Sequence, residues 1–288
     1  MKIALGTVQF GLPYGITNRS GQVQHAEVKA ILDLASASGI DMLDTAIAYG
    51  ESEHCLGQIG IDGWRIVTKL PAVPDAIHDV ADWVEAQVAG SLSRLKADRL
   101  YGLLLHCPDQ LIGPNGDALY RALASLKKRD KVEKIGISVY DPEQLDLLWP
   151  KFRFDLVQAP FNIIDRRLAA SGWLARLHDD GAEVHIRSIF LQGLLLAQKT
   201  KWPAYFDRWK SLRGQWFNWL KENTLSSLQG CLGLALSKPE IDLIVVGVES
   251  AKQLQEILAA TRAAPVVPPE TLASEDLDLI NPARWNTA

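Results

Sequence analysis

The sequence predicts a single α/β domain with the (β/α)8 architecture, the TIM barrel. Eight short apolar segments recur along its 288 residues at intervals averaging about 34 residues, which leaves room for one helix per interval. Several segments, such as 103–105 and 244–246, are continuous apolar runs, as is typical of parallel strands buried on both faces. Eight successive strand-then-helix units favour a closed barrel over an open sheet. The length also suits a barrel, which needs about 250 residues.

The predicted strands follow one another through the whole chain. They begin near Ile3, Ile40, Arg65, Tyr101, Lys134, Phe154, Glu183 and Leu243. The intervals between them carry apolar residues at helical spacing, as in 28–35, 80–95 and 254–258. Asp141 and Pro142 suit the N-cap and first position of a helix. Gly39 and Gly181 stand where helices are expected to end before the next strand.

Two segments depart from this regular order. The interval after strand 7 is the longest, and we interpret 190–235 as an insertion or lid region. It holds Trp202, Trp209, Trp216 and Trp219 at helical spacing, which fits either a helix packed on the barrel or a lid over a pocket. The final segment, 264–288, is interpreted as a C-terminal tail with a proline-rich turn and an acidic helix. The whole chain, 1–288, is expected to be one domain.

Composition excludes several classes of protein. With 34 acidic and 30 basic residues, a formal charge of −4 makes nucleic-acid binding improbable. No run reaches the roughly 18 apolar residues of a membrane span, and the N-terminus lacks a signal-peptide core, so we expect a cytoplasmic protein without a membrane partner. The histidines show no ligand spacing, and we expect no metal. Cys55, Cys107 and Cys231 are too scattered for a disulfide framework, and Cys107 is interpreted as a small buried residue.

Four polar residues follow strands 2, 3 and 4, where a barrel places its active site. Asp44 and Tyr49 follow strand 2, Lys69 ends strand 3 and His106 follows strand 4. A cationic lysine beside a tyrosine favours its phenolate, and an aspartate keeps the lysine charged and oriented. A neutral histidine can hydrogen-bond a carbonyl oxygen. Together these side chains can donate a proton to a polarised carbonyl.

The chain resembles the aldo-keto reductases over nearly its whole length. The resemblance is carried by LGTVQFG at 5–11, by DTAIAYGESE at 44–53, and by Lys69 and His106. It implies that Asp44, Tyr49, Lys69 and His106 form a catalytic tetrad. Tyr49 would be the general acid, Lys69 and Asp44 would tune it, and His106 would orient the carbonyl. Hydride would come from a nicotinamide cofactor bound by Gly6, Thr7, Ser138, Gln158, Arg187, Ser188, Gly247, Glu249, Ser250, Lys252 and Gln253.

The resemblance gives several of these residues particular roles. Ser138 and Gln158 would hold the nicotinamide amide, although Val139 stands where relatives usually have an asparagine. Arg187 occupies the position of an aromatic residue that stacks on the nicotinamide, and a guanidinium can also stack on a ring. Asn162 is a further candidate for the cofactor site.

The segment 247–254 resembles the family's phosphate-binding loop, which leads into a helix N-terminus. There Glu249 would repel the 2′-phosphate of NADP(H) if it faced it, while Lys252 would attract that phosphate. The resemblance favours NADP(H), and the local charge leaves NAD(H) open.

The predicted function is NAD(P)H-dependent reduction of an aldehyde or ketone, or oxidation of the corresponding alcohol. One alternative is a regulatory barrel that binds the nucleotide without turnover. Another is a lyase that uses Lys69 to form a Schiff base. The loops after strands 1, 4 and 7 and the tail are expected to build the substrate pocket. Arg187 and the tryptophans point to a small carbonyl substrate with a polar or anionic group and an apolar body. The oligomeric state is not specified by the sequence.

Overall fold

The computed structural model describes residues 1–285, and its centre is a closed barrel of eight parallel strands joined in sequence order. The strands are β1 Ile3–Gly6, β2 Met42–Asp44, β3 Arg65–Leu70, β4 Leu100–Leu105, β5 Val132–Ser138, β6 Leu156–Pro160, β7 Glu183–Arg187 and β8 Leu243–Gly247. Each begins within two residues of its predicted start. The barrel closes where β1 pairs with β8, with Leu5 opposite Val246 and Gly6 opposite Gly247. The predicted fold class is confirmed.

Helices follow the strands and cover the outside of the barrel. They are α1 Val8–Gly11, α2 His25–Ala37, α3 Ser52–Ile59, α4 Val80–Leu95, α5 Gly116–Lys128, α6 Pro142–Leu148, α7 Arg167–Ala170, α8 Trp173–Asp179, α9 Lys210–Glu222, α10 Ser227–Leu236, α11 Ala251–Ala260 and α12 Leu277–Ile280. Asp141 caps α6 with Pro142 at its first position, and Gly39 and Gly181 follow α2 and α8 with φ of 77° and 78°. These helix boundaries could be predicted from the sequence because each residue caps or ends the helix next to it in the chain. No helix within 1–285 is long and apolar enough to cross a membrane.

Alternate strand residues point into the barrel and fill it. The middle is an apolar layer of Ala4, Met42, Val67, Leu104, Leu156, Leu243 and Val245. Beneath it, Glu183 accepts hydrogen bonds from the Tyr101 hydroxyl at 2.6 Å and from Lys134, and lies 2.7 Å from His185 Nε2. This polar floor cluster lies at the opposite end of the barrel from the residues proposed for chemistry.

The tryptophan-rich segment after β7 packs against the tail. Trp202 and Trp209 lie beside and within a 3-10 helix at 204–209, while Trp216 and Trp219 belong to α9, so one helix over 202–219 is wrong. Pro203 separates Trp202 from the helical turns that follow, because a proline cannot sit inside a helix without loss of a hydrogen bond. All four indoles are buried, and Phe206 packs on Trp285 of the tail with ring centroids 4.9 Å apart. This is the packed alternative for these residues. Residues 286–288 of the predicted tail lie outside the described part of the chain.

Candidate active site

A cavity of about 540 Å³ opens at the carboxyl ends of the strands, where the sequence predicts the site. Twelve of the fifteen predicted catalytic and cofactor residues border it: Gly6, Thr7, Asp44, Tyr49, Lys69, His106, Gln158, Arg187, Ser188, Gly247, Glu249 and Gln253. Ser138, Ser250 and Lys252 do not. The four residues of the predicted tetrad therefore share one cavity.

Lys69 and Asp44 form a buried ion pair at the base of this cavity. Lys69 Nζ donates to Asp44 Oδ1 at 2.7 Å and to the Thr45 carbonyl oxygen at 2.8 Å. The side chains are only 1% and 6% exposed. Burial opposes the lysine charge, but the Asp44 carboxylate and Tyr49 outweigh it, so the pKa of Lys69 lies above its ordinary value. The lysine therefore stays cationic while enclosed by protein.

Tyr49 lies directly above this pair. Lys69 Nζ is 5.2 Å from the centroid of its ring, and the His106 ring meets it edge-on at 5.9 Å. The loop that carries Tyr49 is held from behind by α1, since a Cβ added to Gly11 would lie 1.9 Å from the Tyr49 carbonyl oxygen. Gly50 has φ of 53°, a left-handed conformation that glycine adopts without strain. Two glycines thus fix the position of the tyrosine.

His106 is held in its neutral form by its surroundings. Burial is the largest cause, and the charges of Lys69 and Arg187 act in the same direction, which together lower the pKa of His106 to about 4. At neutral pH the imidazole keeps one N–H to donate and one nitrogen to accept. It can therefore hydrogen-bond a substrate oxygen without adding a charge.

Gln158 links the ion pair to β5. Its Nε2 donates to Asp44 Oδ2 at 2.7 Å, and its Oε1 accepts from the Ser138 hydroxyl at 3.2 Å. Ser138 lies fully buried behind Gln158 rather than on the cavity wall. In this arrangement Gln158 faces the cavity, and the hydrogen bond from Ser138 orients the Gln158 side chain. Asn162 is also away from the wall, where its side chain braces the turn after β6 through Ile164 and Asp165 N–H groups.

Sequence reasoning missed the structural role of Ser52 and Glu53, the last part of the 44–53 motif. Ser52 donates to the Thr7 carbonyl oxygen at 2.9 Å and so ties α3 to the end of β1. Glu53, 1% exposed, accepts hydrogen bonds from Thr68, Ser91 and Arg94 at 2.7–2.9 Å. These two residues hold the strand ends that carry Asp44 and Lys69. The partners on α4 are about 40 residues away in sequence, and no local pattern marks them.

Arg187 brings a second cation to the cavity. Its guanidinium stacks on the Tyr140 ring at 4.3 Å and donates to the Val139 carbonyl oxygen at 3.0 Å. Within residues 1–285 its side-chain hydrogen bonds go to Ser188 and Val139, and no carboxylate is paired with it. The next residue, Ser188, has φ of 61°, and Leu191 and Gln192 are also left-handed. Such conformations cost energy in non-glycine residues and concentrate at functional sites.

The loop after β8 turns its backbone into α11. Ser250 caps this helix by accepting from Gln253 N–H at 3.2 Å, and Gln253 Oε1 accepts from Glu249 N–H at 2.7 Å. The Ala251 N–H donates to a carboxylate oxygen of Glu27 from α2 at 2.7 Å. Lys252 is exposed to solvent on the first turn. The sequence predicts that Glu249 would repel and Lys252 would attract a 2′-phosphate. Of these two residues, Glu249 borders the cavity and Lys252 does not.

The residues present fit a nicotinamide nucleotide. Gln9 Oε1 is buried at the cavity wall without a hydrogen-bond partner, so it offers an acceptor to a bound group. Gly6 and Gly247 are opposite each other at the rim, and a Cβ on Gly247 would lie 2.5 Å from Gln9 Nε2. The absence of a Cβ at Gly247 therefore leaves room for the Gln9 side chain at the rim between β1 and β8. No group of three metal-binding side chains occurs within residues 1–285.

The substrate end of the cavity is built differently from the expectation. Its walls come from the loops after β1 and β7, through Tyr14, Phe190, Gln192 and Leu196 among others, while the loop after β4 supplies only His106. Neither the tryptophans nor the described part of the tail borders it, because they pack on each other instead. The expectation that the tail builds the pocket is therefore wrong, and the tryptophans follow the packed alternative rather than the lid.

Cys107 is exposed rather than buried, because β4 ends at Leu105 and the chain turns outward there into a 3-10 helix.

Comparisons with known proteins agree with this architecture. A family model described as the aldo/keto reductase family matches residues 2–273. Aldo-keto reductase YhdN of Bacillus subtilis is 26% identical over 216 residues, which cover 69% of this chain and 61% of that protein, less than two thirds of its length. L-galactose dehydrogenase of Arabidopsis thaliana is 26% identical over 262 residues, covering 83% and 79%. The structure of aldo-keto reductase AKR11C1 from Bacillus halodurans (holo form) superposes with a TM-score of 0.76 at 19% identity, covering 96% and 94%, and shows the shared fold.

Proposed function

The chain belongs to the aldo/keto reductase family, and from this premise we propose that it reduces an aldehyde or ketone with NAD(P)H, or oxidises the corresponding alcohol. Tyr49 is the general acid that protonates the carbonyl oxygen, and the general base in the reverse direction. A nicotinamide bound in the cavity supplies or accepts the hydride. The substrate is a small carbonyl compound.

The observation that carries this proposal is the enclosed, charged Lys69 beneath Tyr49. Its positive charge stabilises the negative charge that develops on the Tyr49 oxygen as the proton leaves, and in an enclosed site this effect is strong. Asp44 keeps the lysine protonated and fixed in position. Neutral His106 donates a hydrogen bond that directs the carbonyl oxygen. The same charge on Lys69 speaks against the Schiff-base alternative, because an amine must lose its proton to attack a carbonyl.

The decisive experiment follows the absorbance of the reduced nicotinamide with a reactive aldehyde. We expect aldehyde-dependent oxidation by the unaltered protein and a loss of at least about 100-fold in Tyr49→Phe, as is typical of a missing general acid. The matched control is Tyr120→Phe, which removes the same atom from a tyrosine that hydrogen-bonds Arg153 outside the cavity. Full turnover by Tyr49→Phe would refute the assignment. Nucleotide binding without turnover of any aldehyde would favour the regulatory alternative.

Arg187 points to an anionic substrate. Its charge lacks a carboxylate partner within the described chain and borders the cavity together with Tyr14 and Tyr140. A substrate carboxylate or phosphate would supply the missing partner through charge-assisted hydrogen bonds. Burial raises the pKa of Tyr14, so its hydroxyl keeps a proton to donate.

This refinement is tested with two benzaldehydes that differ by a carboxylate group. We expect kcat/KM to favour the carboxylated aldehyde by about 10-fold or more, equivalent to one charge-assisted hydrogen bond. Arg187→Met should abolish this preference, which is a ratio of two kcat/KM values and is therefore unaffected by a loss of turnover common to both aldehydes. An unchanged preference in Arg187→Met would refute the role of Arg187 in substrate selection.

The expected preference for NADP(H) rests on the resemblance alone. The only basic side chains that border the cavity within the described residues are Lys69, His106 and Arg187, and all three lie near Tyr49 or the end of β7.

A further inference from the structure

The cavity extends beyond the catalytic residues toward the outer helices. Tyr49 and His106 border it at the barrel mouth, whereas Gln253, Glu256 and Ile257 border it from α11 in the outer layer. Ser226, which caps α10, and the first two residues of that helix, Ser227 and Leu228, form part of the same wall. The cavity therefore has an inner end for chemistry and an outer end between α10 and α11.

The charges at this outer end are acidic. Glu249 and Glu256 both border it, and no lysine, arginine or histidine of the described chain does so there. Glu27 already accepts the Ala251 N–H at the start of α11, so the helix terminus is partly satisfied by a third carboxylate. The Glu249 side chain is half-buried, and this burial raises its pKa.

The two nicotinamide cofactors differ only at the end far from the nicotinamide. NAD(H) has a ribose diol there, whose hydroxyls donate hydrogen bonds to carboxylates. NADP(H) has a phosphate in place of one hydroxyl, and carboxylates repel it. A dinucleotide with its nicotinamide at Tyr49 would place this end in the outer part of the cavity, beside Glu249 and Glu256.

We propose that Glu249 and Glu256 make this chain an NAD(H)-binding member of its family, by accepting hydrogen bonds from the ribose hydroxyls and excluding the 2′-phosphate. The inference rests on the proposed function. It replaces the NADP(H) preference that the resemblance implies.

The test measures binding rather than turnover. NADH and NADPH are titrated separately into the protein, and energy transfer from tryptophan to the bound reduced nicotinamide gives each dissociation constant. We expect NADH to bind at least about 10-fold more tightly than NADPH, the effect of one unfavourable charge contact. In the double variant Glu249→Gln/Glu256→Gln this ratio should fall to within about 3-fold, mainly because NADPH binds better. Added salt should strengthen NADPH binding to the unaltered protein, since it screens the repulsion.

Two further variants make the result specific. Asp62→Asn removes one exposed acid before β3, at the opposite end of the barrel, and should leave both dissociation constants unchanged. Lys252→Gln separates the two charged residues of the loop, and a selective loss of NADPH affinity in it would overturn the inference. Tighter binding of NADPH than NADH by the unaltered protein would also overturn it, with the reductase function intact. Binding of neither nucleotide would refute the proposed function itself.

Discussion

The substitution Asp44→Asn tests whether burial, rather than the distance between the charged atoms, sets the contribution of an ion pair to the free energy of unfolding. Asparagine keeps the size of the side chain and an oxygen that can accept from Lys69 Nζ, but it removes the charge. The Asp44–Lys69 pair is 2.7 Å long with side chains 6% and 1% exposed. Gln158 Nε2 donates to the second oxygen of Asp44 at 2.7 Å, and the amide NH2 of asparagine cannot accept that hydrogen bond. Loss of one partner from a buried pair costs about 3–5 kcal/mol, and this unmatched donor places the expected loss near the upper bound of about 5 kcal/mol.

The chain offers a matched control in Asp41→Asn. Asp41 pairs with Arg65 at 2.8 Å, almost the same distance, but its side chain is 59% exposed and that of Arg65 is 41% exposed. Pairs of this kind contribute about 0–1 kcal/mol. Chemical denaturation of both variants at neutral pH therefore compares one substitution in two environments.

The dependence on pH gives a second readout. In Asp44→Asn, burial acts on Lys69 without the opposing carboxylate, so we expect the pKa of Lys69 in the folded state to fall below its unfolded value. The unfolded state then binds more protons between these two pKa values, and the free energy of unfolding of the variant rises with pH. In the unaltered protein the raised pKa of Lys69 contributes stability below the unfolded lysine value and loses it only above. The difference in free energy of unfolding between the unaltered protein and Asp44→Asn should therefore narrow from about pH 7 to about pH 9.

Equal losses in Asp44→Asn and Asp41→Asn, within about 0.5 kcal/mol, would refute this reasoning. The double variant Asp44→Asn/Lys69→Met should recover part of the loss, because it no longer leaves an uncompensated buried charge.

Three other predictions follow from the geometry of the site and the floor. Gly11→Ala should lower kcat at least about 10-fold, because its Cβ would lie 1.9 Å from the Tyr49 carbonyl oxygen, whereas Gly214→Ala, with no atom within 4 Å, should retain activity. The ring protons of His106 in NMR spectra should titrate at about pH 4, and a midpoint near the ordinary histidine value would contradict its burial. Burial opposes the Glu183 charge, but hydrogen bonds lower the pKa of Glu183 to about 2, so its contribution to stability is present above the ordinary carboxyl value and is lost as pH falls toward 2. Denaturation of Glu183→Gln between about pH 4.5 and pH 2 should show a weaker acid dependence than the unaltered protein, and equal slopes would exclude this role.

The fold could be predicted because its signals are local and repeated. An apolar run such as 103–105 needs no knowledge of distant residues to indicate a buried strand, and Asp141 caps α6 through its own neighbours. The catalytic candidates could also be predicted from the sequence, since each lies at the end of a strand or just after it and the barrel brings strand ends together. Asp44, Tyr49, Lys69 and His106 indeed border one cavity.

The remaining features depend on pairs that are far apart in sequence. Ser138 and Gln158 face one another through a hydrogen bond, so one of two similar candidates lies behind the other. Trp285 packs against Phe206, which is about 80 residues away in sequence, and this contact holds the tail away from the cavity. The left-handed backbone at Ser188 is not marked by a glycine in the sequence. Tertiary packing determines such details, and local propensity does not report it.

The ten residues of the 44–53 motif are subject to two different constraints. Under the proposed function Asp44 and Tyr49 are constrained by chemistry, whereas Ser52 and Glu53 are constrained by folding, through their hydrogen bonds to Thr7 and to α4. A duplicated gene whose product had lost turnover would therefore keep the second half of the motif and drift in the first. Sorting active from inactive descendants of such a barrel requires Asp44 and Tyr49 to be scored separately from the motif as a whole.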